Sequence, residues 1–158
     1  MNQMEYPSVT LYGLGGPDAP TIEEGVAIGD GTRIGQNTYV GMDTQIGKDC
    51  RIMQHVTICK DAVIADDVFI GPNTTFLNDK YPPTQISQPP IVRCGAIVGG
   101  GSTVGPGHII GFRSGVGHGS NVTKDIPDGE VWCGNPATFH MTRDEYDRRQ
   151  AELVERLG

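Results

Sequence analysis

The chain has 158 residues, a formal net charge of −7 and 20% charged residues, which is a composition that suits one acidic domain. Without a run rich in lysine or arginine, that charge argues against nucleic acid or an anionic membrane surface as a general partner. The N-terminus lacks the apolar core of a signal peptide and no apolar run reaches membrane-spanning length, so we expect a cytoplasmic protein.

The first segment, residues 1–19, has no regular pattern. A turn sequence occupies Gly13–Pro17, and the segment contains four large apolar residues that could lie over an open end of the coil: Tyr6, Leu11, Tyr12 and Leu14. We expect residues 1–19 to cap the open end of the structure that follows, because an uncapped edge exposes backbone groups that can pair with another chain.

A six-residue repeat then dominates the chain. Bulky apolar residues recur at every sixth position, at Ile22, Ile28, Ile34, Val40, Ile46, Ile52, Ile58, Ile64, Ile70 and Phe76, and each has a small or β-branched residue two places before it. A period of six fits neither an α-helix nor an isolated hairpin. It predicts an all-β solenoid of short parallel strands over residues 20–140, with both repeated residues pointing inward and with glycine at many corners.

The repeat is interrupted by residues 77–90, which read LNDKYPPTQISQPP. Phe76 and Val92 are sixteen residues apart, which is not a multiple of six, so the repeat predicts a loop extruded from the coil. Long loops in compact domains are usually functional. Asn78 and Asp79 lie at the root of this loop, where either a turn-forming role or a functional role fits the pattern.

The repeat returns from Val92 to Val122. His108 occupies an inward position where the other hexads have small residues, so we expect it to be packed and hydrogen-bonded. His55 and His118 fall at outward corners, and solvation is the simplest expectation for His55. The four cysteines have no zinc-ligand spacing, so we expect reduced thiols and no metal site.

The end of the chain leaves the repeat at Thr123–His140 and then forms a helix in residues 141–158. Thr142 and Glu145 have the spacing of a capping box, which places the helix start at Thr142. An apolar stripe along this helix is predicted to dock on the coils of the same chain or of a neighbouring subunit, and it consists of Tyr146, Leu153, Val154 and Leu157.

Three segments together resemble the hexapeptide-repeat acyltransferases. They are the hexads, the run GAIVGGGSTVGPGHIIG at Gly95–Gly111, and the exit VTKDIP…GNPA at Val122–Ala137. The resemblance implies a left-handed parallel β-helix with one extruded loop and a C-terminal α-helix. It also implies acetyl-CoA as the co-substrate and a homotrimer whose active sites are shared between subunits.

The loop sequence FLNDKYPP at Phe76–Pro83 is similar to that of family members that N-acetylate amino sugars carried on nucleotides such as dTDP or UDP. Members that acetylate hydroxyl groups carry a catalytic histidine in this loop, and here it has none. A neutral amine attacks a thioester without prior deprotonation, so positioning can suffice. The resemblance therefore implies that Asn78 orients the amine and that Asp79 accepts a hydrogen bond or proton from it.

The same resemblance places acetyl-CoA. The backbone N–H of Gly100 matches a donor to the thioester carbonyl, which would stabilise an oxyanion. His118 matches a position beside pantetheine that is usually small in relatives, and Thr123 and Lys124 match residues near the adenine end. Lys124 suits the 3′-phosphate of CoA, although a solvated surface lysine is the alternative.

Three other functions fit the sequence less well than N-acetyl transfer. An O-acetyltransferase would use His55, or a histidine of an adjacent subunit, as its base. A hydratase of the γ-carbonic anhydrase type needs three histidines at a fixed short spacing that this sequence lacks. A non-catalytic scaffold would leave the VTKDIP and GNPA segments unexplained.

Overall fold

The computed structural model describes residues 8–158, which form a left-handed parallel β-helix followed by a hairpin and one helix. Seventeen strands of two residues each build the coils: β1 Thr10–Leu11, β2 Thr21–Ile22, β3 Ala27–Ile28, β4 Arg33–Ile34, β5 Tyr39–Val40, β6 Gln45–Ile46, β7 Arg51–Ile52, β8 Thr57–Ile58, β9 Val63–Ile64, β10 Phe69–Ile70, β11 Thr75–Phe76, β12 Ile91–Val92, β13 Ile97–Val98, β14 Thr103–Val104, β15 Ile109–Ile110, β16 Gly115–Val116 and β17 Asn121–Val122. The hairpin and the helix are β18 Glu130–Gly134, β19 Ala137–Thr142 and α1 Arg143–Leu157. The predicted fold class is confirmed.

Three parallel sheets form the sides of the coil. Sheet A contains β1, β4, β7, β10, β13 and β16, followed by β18 and β19, sheet B contains β2, β5, β8, β11, β14 and β17, and sheet C contains β3, β6, β9, β12 and β15. Successive strands of one sheet are one full turn apart, so Arg33 pairs with Arg51 and Phe69 pairs with Ile97. Three hexads therefore make one coil, except where the loop is inserted.

The interior is a column of aliphatic side chains with small polar residues beside it. The second residue of nearly every strand is buried, and so are the inward threonines and serines two places earlier. Thr38 is representative, since its Oγ1 donates to Met53 O at 2.8 Å and accepts from Val56 N at 3.3 Å. These hydroxyl groups satisfy backbone polar groups that would otherwise be buried without a partner.

The corner glycines are required by close approach of adjacent coils. A Cβ atom added to Gly35 would lie 2.4 Å from Gln54 N, and one added to Gly99 would lie 2.4 Å from His118 N. Neither glycine has a positive φ. The left-handed conformation occurs two residues later in the same corners, as at Asn37 and His55. Glycine at 35 and 99 follows from steric contact, whereas the left-handed position takes either glycine, as at Gly101 and Gly119, or a residue such as asparagine, aspartate or histidine.

The described part of the N-terminal segment, residues 8–19, contributes a strand. Strand β1 pairs with β4, so it extends sheet A by one position, and Val9 and Leu11 are buried. Tyr12 and Leu14 are exposed by 48% and 36%, so they lie at the surface. Tyr6 is outside the described residues.

The C-terminal hairpin continues sheet A, because β18 pairs in parallel with β16 and in antiparallel with β19. Helix α1 begins after Thr142, whose side chain accepts from Glu145 N, and it docks on the coils through polar contacts. Arg143 donates to Gly95 O at 2.8 Å, and Arg113 of the coils donates to Asp147 Oδ2 at 2.9 Å. Of the predicted apolar stripe, Leu153, Val154 and Leu157 remain exposed, so this part does not dock on the chain's own coils.

Over residues 8–158, the structure contains no helix with the length and hydrophobicity that crossing a membrane requires.

Candidate functional site

The candidate residues lie at two different corners of the coil. The A–B corner follows each strand of sheet A and consists of residues 35–37, 53–55, 71–73, 99–101 and 117–119, so it contains Gly100 and His118. The B–C corner follows each strand of sheet B and consists of residues 41–43, 59–61, 105–107 and 123–125, together with the loop 77–90. Asn78, Asp79, Thr123 and Lys124 therefore lie on the B–C corner.

The carboxylate of Asp79 organises the loop. Its Oδ1 accepts from Thr84 Oγ1 at 2.6 Å and Tyr81 N at 3.2 Å, and its Oδ2 accepts from Thr84 N at 2.7 Å and Gln85 N at 3.2 Å. The hydroxyl of Thr84, with these backbone amides, lowers the pKa of the Asp79 carboxyl. Because a carboxylate has about four acceptor positions, these bonds use its capacity within the loop.

Asn78 ties the loop root to the coil. Its Nδ2 donates to Ser87 Oγ at 3.2 Å, and Ser87 in turn donates to Asp61 Oδ2 at 3.1 Å. The backbone closes the same root, since Gln88 N donates to Asn78 O at 2.6 Å. A surface cleft of about 450 Å³ lies beside this root and is lined by Asn78, Asp79 and Lys60 among others. The side chain of Asn78 is half-buried and faces a space that a ligand can enter.

The A–B corner presents the backbone of Gly100 to a groove. The N–H of Gly100 has no hydrogen-bond partner within residues 8–158, while its carbonyl accepts from Gly119 N at 2.9 Å. The groove has a volume of about 180 Å³ and runs from Gly100 and His118 across sheet A to Tyr146 of α1. A free N–H on a glycine beside a groove has the chemistry of an oxyanion donor.

One chain does not bring the two groups together. Asn78 and Asp79 share the B–C corner with Thr123 and Lys124, whereas Gly100 lies beyond the opposite end of sheet B. Thr123 and Lys124 are exposed, and neither has a described hydrogen-bond or ion-pair partner within residues 8–158. A reaction that used both corners would therefore need a second copy of the chain.

The histidines occupy separate places. His55 lies on the A–B corner, one position later in its corner than Gly100 and His118 are in theirs, so it stacks with Asn73 and Gly101, and its backbone is left-handed with φ 59°. His108 is only half-buried, because an imidazole does not fit the narrow interior, and its Nδ1 lies 3.4 Å from Asp125 Oδ1. No group of three metal-ligating side chains is present within residues 8–158.

A second cleft, which was not predicted from the sequence, lies on the outer face of sheet A and the adjoining A–B corner. This arginine cleft has a volume of about 500 Å³, and its lining includes Tyr12, Arg33, Arg51, Gln54 and His55. The sequence contained a signal for it, because both arginines directly precede the repeated aliphatic residue and stand three hexads apart. With three hexads per coil, that spacing predicts that they stack.

Part of the repeat matches a known family. The family model "Bacterial transferase hexapeptide (six repeats)" matches residues 43–78. The dTDP-3-amino-3,6-dideoxy-alpha-D-galactopyranose 3-N-acetyltransferase of Aneurinibacillus thermoaerophilus is 51% identical over 47 residues, which span 30% of this chain and 24% of that protein. The chain thus matches about a quarter of the length of this relative.

Two solved structures are similar in fold. A mutant of perosamine N-acetyltransferase from Caulobacter crescentus, in complex with CoA and GDP-perosamine, has a TM-score of 0.69 and 24% identity, covering 79% of this chain and 54% of that one. A mutant of AntD, an N-acyltransferase from Bacillus cereus in complex with dTDP and coenzyme A, has a TM-score of 0.75 and 19% identity, covering 98% of this chain and 94% of that one.

Proposed function

We propose, on the premise that the chain is a hexapeptide-repeat protein of the bacterial transferase type, that it is an acetyl-CoA-dependent N-acetyltransferase. Its acceptor would be an amino sugar linked to a nucleotide such as dTDP or UDP. The short, strong match to a dTDP-amino-sugar N-acetyltransferase supports this acceptor class. The fold neighbours with bound CoA support the co-substrate.

The observation that carries the proposal is the chemistry of the loop root. It contains no imidazole, and its carboxylate, Asp79, has a lowered pKa and is fully used by hydrogen bonds within the loop. Such a carboxylate is a weak base, so the loop is poorly suited to deprotonating a hydroxyl group. An amine acceptor in its neutral form needs no deprotonation before attack.

In the proposed reaction, the amine nitrogen attacks the thioester carbonyl carbon of acetyl-CoA. The backbone N–H of Gly100 donates to the carbonyl oxygen as it becomes an oxyanion. The C–S bond then breaks, CoA leaves as a thiolate that takes up a proton, and the nitrogen loses a proton as the amide forms. Asn78 orients the amine, while Asp79 acts as a positioning residue that shapes the loop and adds a negative charge near the developing ammonium.

A homotrimer with shared sites is part of the proposal. The separation of Asn78 from Gly100 within one chain supports a site in which one subunit supplies the loop and its neighbour supplies the A–B corner. The exposed apolar residues Val63 and Ile91, which stack on the outer face of sheet C, support burial of that surface in an assembly. His118, Thr123 and Lys124 would then contact CoA along the same interface. Light scattering on the purified protein tests whether the mass in solution is three times that of one chain.

The direct test mixes the protein with acetyl-CoA and a panel of dTDP- and UDP-linked amino sugars and follows release of free thiol. We expect release with at least one amine and formation of an amide product by mass spectrometry. The substitution Asn78→Ala should lower kcat/KM for that amine without changing the affinity for CoA. Absence of thiol release with every amine would contradict the proposal.

O-acetyl transfer is the second candidate, because His55 shares the A–B corner with Gly100 and lines the arginine cleft. Imidazole is the side chain that most often serves as general base towards a hydroxyl group. The substitution His55→Asn separates the two functions. It should abolish O-acetyl transfer, whereas N-acetyl transfer should retain activity within several-fold of the wild type.

A further inference from the structure

Two arginines are held side by side on the outer face of sheet A. Arg33 of β4 and Arg51 of β7 are direct partners in the parallel ladder, so their side chains leave the same face about 4.8 Å apart at the backbone. Like charges directly opposite each other on neighbouring strands destabilise a sheet. The coil therefore maintains an arrangement that is unfavourable unless an anion binds to it.

No carboxylate within residues 8–158 neutralises this pair. The arginines elsewhere on the same side of the molecule have acidic partners, since Arg113 and Arg143 both bind Asp147. Neither Arg33 nor Arg51 has an ion pair with a described residue, although the guanidinium of Arg51 lies 5.8 Å from the centre of the Phe69 ring. In a chain with a net charge of −7, two adjacent arginines without an ion-pair partner are a local concentration of positive charge, although Asp67 lines a neighbouring cleft together with Arg51.

The surrounding cleft has the size and the groups of a nucleotide site. Its volume of about 500 Å³ falls within the range of small-molecule sites. Guanidinium groups bind phosphate oxygens through paired hydrogen bonds, and two of them side by side match the two phosphates of a diphosphate. Tyr12, whose side chain is 48% exposed, lies at the same cleft and offers an aromatic face to a base.

We infer that the arginine cleft binds a nucleotide through its diphosphate, with Arg33 and Arg51 on the phosphates and the base against Tyr12. Both nucleotide-linked sugars and CoA contain a diphosphate. The position favours the sugar nucleotide, an assignment that rests on the proposed function. The coil of Arg51 lies two coils before that of Gly100, about 10 Å along the axis. Arg51 also lines a neighbouring cleft on sheet A, and that cleft shares Phe69 and Ile97 with the groove at Gly100. A sugar attached to the diphosphate would point along that groove.

Isothermal titration of the full chain with dTDP and, separately, with CoA tests the inference. Arg33→Gln and Arg51→Gln should each weaken dTDP binding about tenfold or more, which is the usual consequence of losing a charged hydrogen bond. Arg51→Lys should recover only part of the affinity, because lysine keeps the charge but not the paired geometry. Arg93→Gln is the matched control, since it removes the same charge from an exposed arginine outside the cleft, and it should leave dTDP binding unchanged.

Three results would overturn the inference. The first is wild-type affinity for dTDP in the double variant Arg33→Gln/Arg51→Gln. The second is weakened CoA binding with unchanged dTDP binding, which would assign the cleft to CoA. The third is a changed oligomeric mass with unchanged dTDP binding, which would mean that a neighbouring copy neutralises the arginines. Arginine-dependent dTDP binding in a protein that transfers no acetyl group would leave the inference intact and contradict the proposed function.

Discussion

The free N–H of Gly100 allows a sharp test of the proposed oxyanion donor. A backbone donor is removed only by proline, which ordinarily disturbs the fold. Here the same corner position one coil earlier is Pro72, so the coil already accepts proline at this place. Gly100→Pro therefore deletes the N–H at a position where the backbone geometry suits the replacement.

We expect Gly100→Pro to lower kcat about 10²- to 10³-fold, which is the usual effect of losing one oxyanion donor. Gly100→Ala is the matched control because it keeps the N–H. Both variants add a Cβ atom, which would lie 3.0 Å from Pro72 O, so they share this contact. Proline alone also adds Cγ and Cδ, and the melting temperatures of the two variants measure the cost of those atoms. The ratio of their kcat values isolates the hydrogen bond, and saturating acetyl-CoA in the thiol-release assay removes differences in cofactor binding.

Equal kcat values for Gly100→Pro and Gly100→Ala would refute the reasoning, provided that both variants melt within a few degrees of each other. A proline variant that is slow only because its KM for acetyl-CoA has risen would also refute it. In that case Gly100 would contribute to binding but not to the stabilisation of the transition state.

Two further predictions concern the coil and the loop. Thr38→Val removes the donor to Met53 O and the acceptor of Val56 N, so it should lower the free energy of unfolding by about 1–3 kcal/mol. The melting temperature of Thr38→Val should fall by about 2–4 °C for each kcal/mol. The melting temperature of Thr38→Ser should stay close to that of the wild type. Equal melting temperatures for the valine and serine variants would contradict the role of the hydroxyl group. The pKa of Asp79 is lowered in the folded loop, chiefly by the hydroxyl of Thr84. The ionised carboxylate therefore contributes fully to the stability of the loop above the ordinary aspartate pKa, and this contribution is lost as the pH falls through the lowered pKa. The amide resonance of Thr84 should therefore shift only below about pH 4, and a shift that persists in Asp79→Asn would assign the change to another group.

The sequence predicts the coil well because the hexad repeat acts on every strand in the same way. Ile34, Val40 and Ile46 are buried as the period requires, and the break at the loop falls where the frame is lost. The boundary between the loop and the returning coil is less clear. Pro90, the last residue of the predicted loop, is buried in the inward position two places before Val92. A proline there belongs to the repeat as much as to the loop, and only the packing reveals it.

The ends of the coil could not be derived from the period. Strand β1 has no hexad partner in sequence, and it forms because the edge of β4 offers unpaired backbone groups. The hairpin of β18 and β19 also lacks the repeat. His108 was expected inside, but its imidazole is larger than the slot, so it is displaced towards Asp125.

The site is predictable only in part, because resemblance assigns residues to roles without placing them in space. Asn78 and Gly100 were assigned to one reaction, yet they lie on different corners of a single chain. The hydrogen bonds of Asp79 within the loop were also invisible in the sequence, since they depend on the path that brings Thr84 back to the root. By contrast, the stacking of Arg33 on Arg51 can be predicted from the sequence once the number of residues per coil is known.

The central claim is that the chain transfers an acetyl group to nitrogen, with positioning in place of a strong base. The most direct measurement is kcat/KM for a matched pair of acceptors, a nucleotide-linked amino sugar and the same compound with a hydroxyl group at that carbon. We predict efficient amide formation with the first and no detectable ester with the second. Ester formation with the hydroxyl compound, together with failure to acetylate the amine, would contradict the account.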